Sequence, residues 1–228
     1  MSGPAVGPIA PRQSLREFVE DALATAIITG EMEPGELFSA PVLAERFAVS
    51  ATPVREAMIN LEKRGFVEIV RNKGFRVLPV SDESLNEIVG VRLLLEPPSM
   101  RTLAEQGPLD GLPELRRLAD DITSGAERGD LAAYLAADTV FHTTLISRLG
   151  NARLTDLVAE LRAQTRLPGL AGMLATEELR SSALEHRELL ELLSSGDGEG
   201  AEQLMRRHIS HVLGWWAGRT EAAAVPAH

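Results

Sequence analysis

Four side chains in the second half of the chain are of the types that hold a divalent metal ion. Asp138 and His142 stand four residues apart on a stripe with Leu131, Leu135, Leu145 and Leu149, so on a helix both point to the apolar side. His186 falls on a second stripe with Leu179, Leu190 and Leu193, and His208 on a third with Ala201, Leu204, Val212 and Trp215. A buried carboxylate and three buried imidazoles need partners, because an unpaired buried polar group is costly. One reading is that a single ion takes all four; imidazole and carboxylate suit zinc, nickel, manganese or iron. The other is that each is a core residue with its own hydrogen bond. A third is a metal enzyme that activates water, with Glu185 beside His186 as its candidate base. His211 lies nearer the edge of its stripe and is left out of the set.

A second group lies in "VSATPVREAM", Val49 to Met58. Val54, Ala57, Met58 and Leu61 form one face of a helix, and Thr52, Arg55, Ile59 and Lys63 point the other way. A helix N-terminus favours an anion, an arginine can bridge guanine or grip phosphate, and Ser50 and Thr52 can donate to phosphate. Arg71 and Lys73 fall at the tip of a following hairpin, within reach of a neighbouring groove or backbone. The alternative is that Ser50 caps the helix and the charges are a solvated face.

The chain has 228 residues and a net charge of −10, which at first sight opposes nucleic-acid binding. The acidity is uneven: residues 46–78 hold 7 basic and 3 acidic residues, whereas residues 81–228 hold 14 and 23. A local basic window is the pattern of a nucleic-acid footprint. Cysteine is absent, which excludes disulfides, thiolate metal sites and thiol nucleophiles. No apolar run approaches the roughly 20 residues of a membrane span, and the start does not read as a signal peptide.

The spacing places a first helix after Ser14, with Leu15, Phe18, Val19, Ala22, Leu23, Ala26 and Ile27 inward and Gly30 as its stop. Ser39 caps a short helix with Pro41 in its first turn and Val42, Leu43 and Phe47 inward. A third helix runs from about Ser50 to Arg64. Phe66–Val70 and Phe75–Leu78 then read as a hairpin with Asn72-Lys73-Gly74 as its turn. Two helices, a tight turn, a third helix and a hairpin make a winged helix-turn-helix, whose second helix of the pair enters the major groove. From Ser81 the pattern predicts six helices, at about 83–106, 112–128, 130–149, 151–167, 176–195 and 199–218, packed antiparallel across short connections. Gly107-Pro108, Gly129-Asp130, Gly150-Asn151, Pro168-Gly169 and Gly196-Asp197-Gly198 separate them. Pro97-Pro98 should kink or break the first. The expected organisation is mostly α: a disordered arm over 1–13, a winged helix-turn-helix over 14–80, an all-α antiparallel bundle over 81–218 and a frayed tail over 219–228.

"LAERFAVSATPVREAMINLEKRGFVEIVRNKGFRVLPVS" (Leu43–Ser81), with "GEMEPGE" before it, resembles the winged helix of GntR-type bacterial transcription regulators. "IVGVRLLLEPPSM", "DTVFHTTLISRLGNARL", "SSALEHRELLELLSSGD" and "AEQLMRRHI" resemble the FCD effector domain of the FadR subfamily, and six helices resemble its VanR-like variant. The resemblance implies that Ser50, Thr52, Arg55 and the wing at Lys73-Gly74 contact double-stranded operator DNA. It places metal ligands at Asp138, His142, His186 and His208, with zinc, nickel or manganese as the ion, and a pocket arginine at Arg92. It implies a small carboxylate effector, a homodimer, a cytoplasmic repressor released by its effector, and no enzyme. An ion pair with Glu96 at i, i+4 is the other role open to Arg92. The chain departs from the pattern at Ala51, where relatives usually carry arginine, at Gly90, where they often carry an acid, and at Pro97-Pro98.

Overall fold

The computed structural model describes residues 14–79, 81–165, 170–174 and 176–214. The expected arm over 1–13, the tail over 219–228, Pro168-Gly169 and Trp215 lie outside these residues. α1 (Leu15–Ile28) begins in a capping box: Glu17 N donates to the Ser14 hydroxyl at 3.2 Å and Ser14 N donates to the Glu17 carboxylate at 2.8 Å. It packs on α3 with one narrow face, so Val19, Leu23, Ala24 and Ile27 are buried, while Leu15 and Phe18, expected inward, stand 52% and 58% exposed. β1 (Leu37–Phe38), α2 (Ala40–Arg46), α3 (Ala51–Lys63), β2 (Val67–Val70) and β3 (Gly74–Val77) follow. Val42 in α2, also expected inward, is exposed.

The three strands form an antiparallel sheet in the order β1-β3-β2, with Phe75 of β3 opposite both Phe38 and Ile69. β1 was not legible in the sequence: two residues show no period, and only pairing with β3 makes them a strand. Gly74 starts β3 rather than lying within the turn. Its φ is +129°, and a Cβ there would sit 2.2 Å from the Phe38 carbonyl oxygen, so glycine is what lets β3 pass β1. Asn72 supplies the left-handed turn residue at φ 60°.

The bundle comprises α4 (Asp82–Glu105), α5 (Leu112–Arg128), α6 (Leu131–Ser147), α7 (Ala152–Gln164), a short 3-10 turn (Leu170–Met173), α8 (Glu177–Ser195) and α9 (Gly198–Ser210). The six helices match the expected number among the described residues. α9 stops at Ser210, short of the expected 218, and continues as turns to Gly214. α4 packs along α9, and α5 lies between α6 and α8. The expected break at Pro97-Pro98 does not occur; α4 is helical throughout. Packing on α9 keeps the two prolines helical despite the two backbone N–H groups they lack. Each half has its own apolar core, and Ile28 at the end of α1 packs against that of the bundle.

Candidate metal centre and nucleic-acid interface

α6, α8 and α9 carry their polar residues to one point inside the bundle. One ligand-type atom from each of Asp138, His142, His186 and His208 lies within 4.8 Å of the others. His142 Nε2 is 3.1 Å from His186 Nε2, and Asp138 Oδ1 is 3.1 Å from His186 Nε2 and 3.5 Å from His142 Nε2. All three imidazoles are at most 2% exposed, whereas the Asp138 side chain keeps 14%. Phe141 packs edge-on against His142 and His186 and makes one wall apolar.

The neighbours decide which ring nitrogen faces the centre. His186 Nδ1 donates to the Ala183 carbonyl at 3.0 Å, so the neutral ring presents a bare Nε2. His208 Nδ1 donates to Glu185 Oε2 at 2.8 Å, which leaves its Nε2 as the ligand atom. A carbonyl behind His186 and a carboxylate behind His208 are the arrangement that orients histidine toward a metal. Without an ion, His142 Nε2 must donate to the bare His186 nitrogen, and His142 Nδ1 is then a buried acceptor with no hydrogen-bond partner among the described residues. A divalent ion would take the lone pairs of Asp138 and of the imidazole nitrogens that face one another here, so the residues fit one.

Burial, with the Arg162 cation nearby, holds His142 well below the usual histidine range. Burial also takes His208 down to about 4, against the opposing pull of Glu185. Burial would raise Asp138, but His142, His186 and Arg162 outweigh it and keep it ionised. Neutral imidazoles beside an ionised carboxylate are the forms that ligate.

Beside Asp138 lies a cavity of about 70 Å³, bordered by Arg92, Leu135, Asp138, Thr139, Arg162 and Thr165. Arg162 Nη1 donates to Asp138 Oδ2 at 3.1 Å, and its Nε and Nη2 donate to Glu96 Oε2 at 3.0 and 2.6 Å. Arg92 forms the i, i+4 pair with Glu96 at 2.6 Å, reaches the Thr165 hydroxyl at 3.3 Å, and lines the cavity as well. Glu96 thus sits between two guanidiniums. Burial would raise its carboxyl, yet Arg162 and Arg92 hold it down at about 2.

In the winged helix, Ser50, Thr52, Arg55 and Lys73 are exposed, and Ala51 and Gly74 are half-buried. Ser50 is the N-cap of α3, but its hydroxyl makes no capping bond, unlike those of Ser14, Ser39 and Ser81 at their helices. The side chain is therefore not consumed by the cap. Arg55, Arg71 and Lys73 line an open groove of about 350 Å³ between the start of α2 and the hairpin.

The family model described as "Bacterial regulatory proteins, gntR family" matches residues 15–77, and that of the FCD domain matches residues 87–211, more than half of the chain. The chain belongs to the GntR family, with an FCD domain. It is a DNA-binding transcriptional regulator, not a protein whose acidity sets it apart from nucleic acid. A probable D-xylose utilization operon transcriptional repressor of Paenarthrobacter nicotinovorans is 29% identical over 202 residues, 89% of this chain and 88% of that protein. An uncharacterized HTH-type regulator from the TAR-I ttuE-ttuC' intergenic region of Agrobacterium vitis is 33% identical over 129 residues, 55% of this chain and 75% of that one. The solved structure of E. coli McbR/YncC superposes with a TM-score of 0.71 at 26% identity, covering 87% of this chain and 94% of that one. Among the described residues of this GntR-family chain, no helix is long and apolar enough to cross a membrane.

The sequence reading missed Arg162 of the FCD bundle and gave Glu185 and His211 other places. Arg162 follows Val158 at i, i+4 on a buried face, and that spacing was the only signal for it. Glu185 was read as a base beside His186; it accepts instead from His208, His211 and Arg207. His211, left out as an edge residue, is 2% exposed and bonded to Glu185.

Proposed function

We propose that this GntR-family regulator binds a divalent metal ion through Asp138, His142, His186 and His208, and a small carboxylate in the adjoining cavity. The observation that carries the reading is the convergence of four ligand atoms within 4.8 Å, with two of the imidazole tautomers set by Ala183 O and Glu185. Zinc, nickel and manganese are the ions this donor set suits. The bound ion would supply a fixed positive charge able to take an anionic oxygen. The charges around the cavity support an anion: Arg92 and Arg162 balance Glu96 and Asp138, so a divalent ion would leave the site doubly positive. Arg92 and Arg162 are the guanidiniums a carboxylate would meet.

The front unit, over about 14–80, binds double-stranded operator DNA through Ser50, Thr52, Arg55 and the wing at Lys73-Gly74, in a cytoplasmic homodimer that sets two recognition helices on a two-fold site. The bundle, over about 81–218, reads the effector, which releases the repressor. A repressor among the relatives supports that direction. The chain acts as a switch and not as an enzyme: Glu185, the base a hydrolase reading requires, is engaged by His208, His211 and Arg207 on the outer side of His208.

Electrophoretic shift with genomic fragments tests the DNA face: Arg55→Ala should lose most of the shift, and unchanged binding overturns the assignment. Metal analysis of untagged protein tests the centre. Asp138→Ala and His186→Ala should each lower metal content; if both leave it and the thermal stability untouched, the metal site is wrong.

A further inference from the structure

We infer that Arg64 couples the metal centre to the recognition helix through the last turn of α7. The inference rests on the reading that an ion binds at Asp138.

Arg64 is the C-cap of α3. Its Nη1 pairs with Glu20 Oε1 of α1 at 3.1 Å, and its Nη2 donates to the Ala163 carbonyl of α7 at 3.2 Å. Its guanidinium lies over the Phe66 ring, with Cζ 4.9 Å from the centroid. Glu20 also accepts from Asn60 of α3 at 2.9 Å, so α1 and α3 are clamped to one another at this corner. The Ala163 carbonyl lies in the final turn of α7, where helical N–H partners run out and the helix dipole favours a cation.

The same turn faces the ligand site. Arg162 holds Asp138 Oδ2 and Glu96, and the Thr165 hydroxyl accepts from Arg92. Asp138 divides its two oxygens, Oδ1 toward the imidazoles and Oδ2 to Arg162. An ion at Oδ1 drains charge from the carboxylate that Arg162 grips, and an anion in the cavity competes for the same guanidinium. Either change resets Arg162, and Ala163 is its next residue in one helical turn. Arg162 and Ala163 of α7 and its C-cap Thr165 therefore connect Asp138, the buried Arg92–Glu96 pair and the end of α3. Transmission requires that the two occupancies differ in contact energy, and the Asp138–Arg162 pair is where they differ.

Hydrogen exchange on the full chain, with and without zinc, tests this, with zinc binding followed by calorimetry. Arg64→Met keeps an unbranched side chain of similar reach but has neither donor nor charge, and a melting curve checks that it folds. In the wild type zinc should change exchange in the last turn of α7 and, by about fivefold or more, in the last turn of α3. In Arg64→Met zinc should bind and change α7 alone. An equal α3 response in both proteins overturns the coupling, as does zinc binding to the wild type with α3 unmoved. Failure of zinc to bind the wild type overturns the metal reading, and the coupling with it.

Discussion

Replacing Glu185 with glutamine tests the metal centre without touching a ligand. The carboxylate accepts from His208 Nδ1 at 2.8 Å, from His211 Nε2 at 3.1 Å and from Arg207 Nε at 3.0 Å. Burial would raise its carboxyl, but the hydrogen bonds from His208 and His211 hold it well below the usual range. Glutamine is isosteric but neutral and offers one oxygen. The bond that sets the His208 tautomer then changes from charge-assisted to neutral, a loss of about 1–1.5 kcal/mol. If the amide NH₂ turns toward His208 Nδ1, the proton moves to Nε2, and ligation must first reverse that tautomer. Together these place the loss of metal affinity at about tenfold to a hundredfold, or roughly 1.4–2.7 kcal/mol. Competition for zinc against a chromophoric chelator near neutral pH measures it, with a melting curve to show that the apoprotein stays folded. Glu188→Gln is the control, because Glu188 meets Arg207 and no imidazole in the described residues. Equal zinc affinity in wild type and Glu185→Gln refutes the argument that Glu185 orients His208 toward an ion.

The remaining predictions concern charge. His208 titrates at about 4 in the folded chain against 6.5 for an ordinary imidazole, and burial lowers His142 in the same direction. The unfolded chain therefore takes up these protons first. Apoprotein stability is complete above about pH 6.5 and falls toward pH 4, by about 3 kcal/mol from His208 alone, which chemical denaturation across that window should show. Glu96→Gln leaves the buried Arg92 and Arg162 around a neutral partner and should cost about 3 kcal/mol by the same method; a loss under about 1 kcal/mol refutes the shared-counterion reading. Ala51→Arg adds a cation at the first turn of α3 and should tighten DNA binding and steepen its salt dependence by about one phosphate contact. Unchanged affinity and slope place residue 51 off the interface.

The sequence by itself determined the helices, the hairpin and the four polar residues that converge inside the bundle. Apolar stripes at helical spacing, Ser and Asp caps and glycine stops are local signals, so α1 to α9 fell close to their expected places. The four ligand-type residues were legible for the same reason: a polar residue on an apolar stripe announces that it is buried. What depends on a partner far along the chain was not legible. β1 exists only by pairing with β3, and Leu15 and Phe18 are exposed because α1 packs on α3 through one narrow face that leaves them out. α4 stays helical through Pro97-Pro98 because α9 packs along it. Arg162, Glu185 and His211 resemble ordinary helix residues until the bundle closes and sets them behind Asp138 and His208. A stripe tells which face of a helix goes inward. Only the packed bundle decides which atoms that face meets, because those distances are set by helices brought together across 23 to 73 positions of sequence.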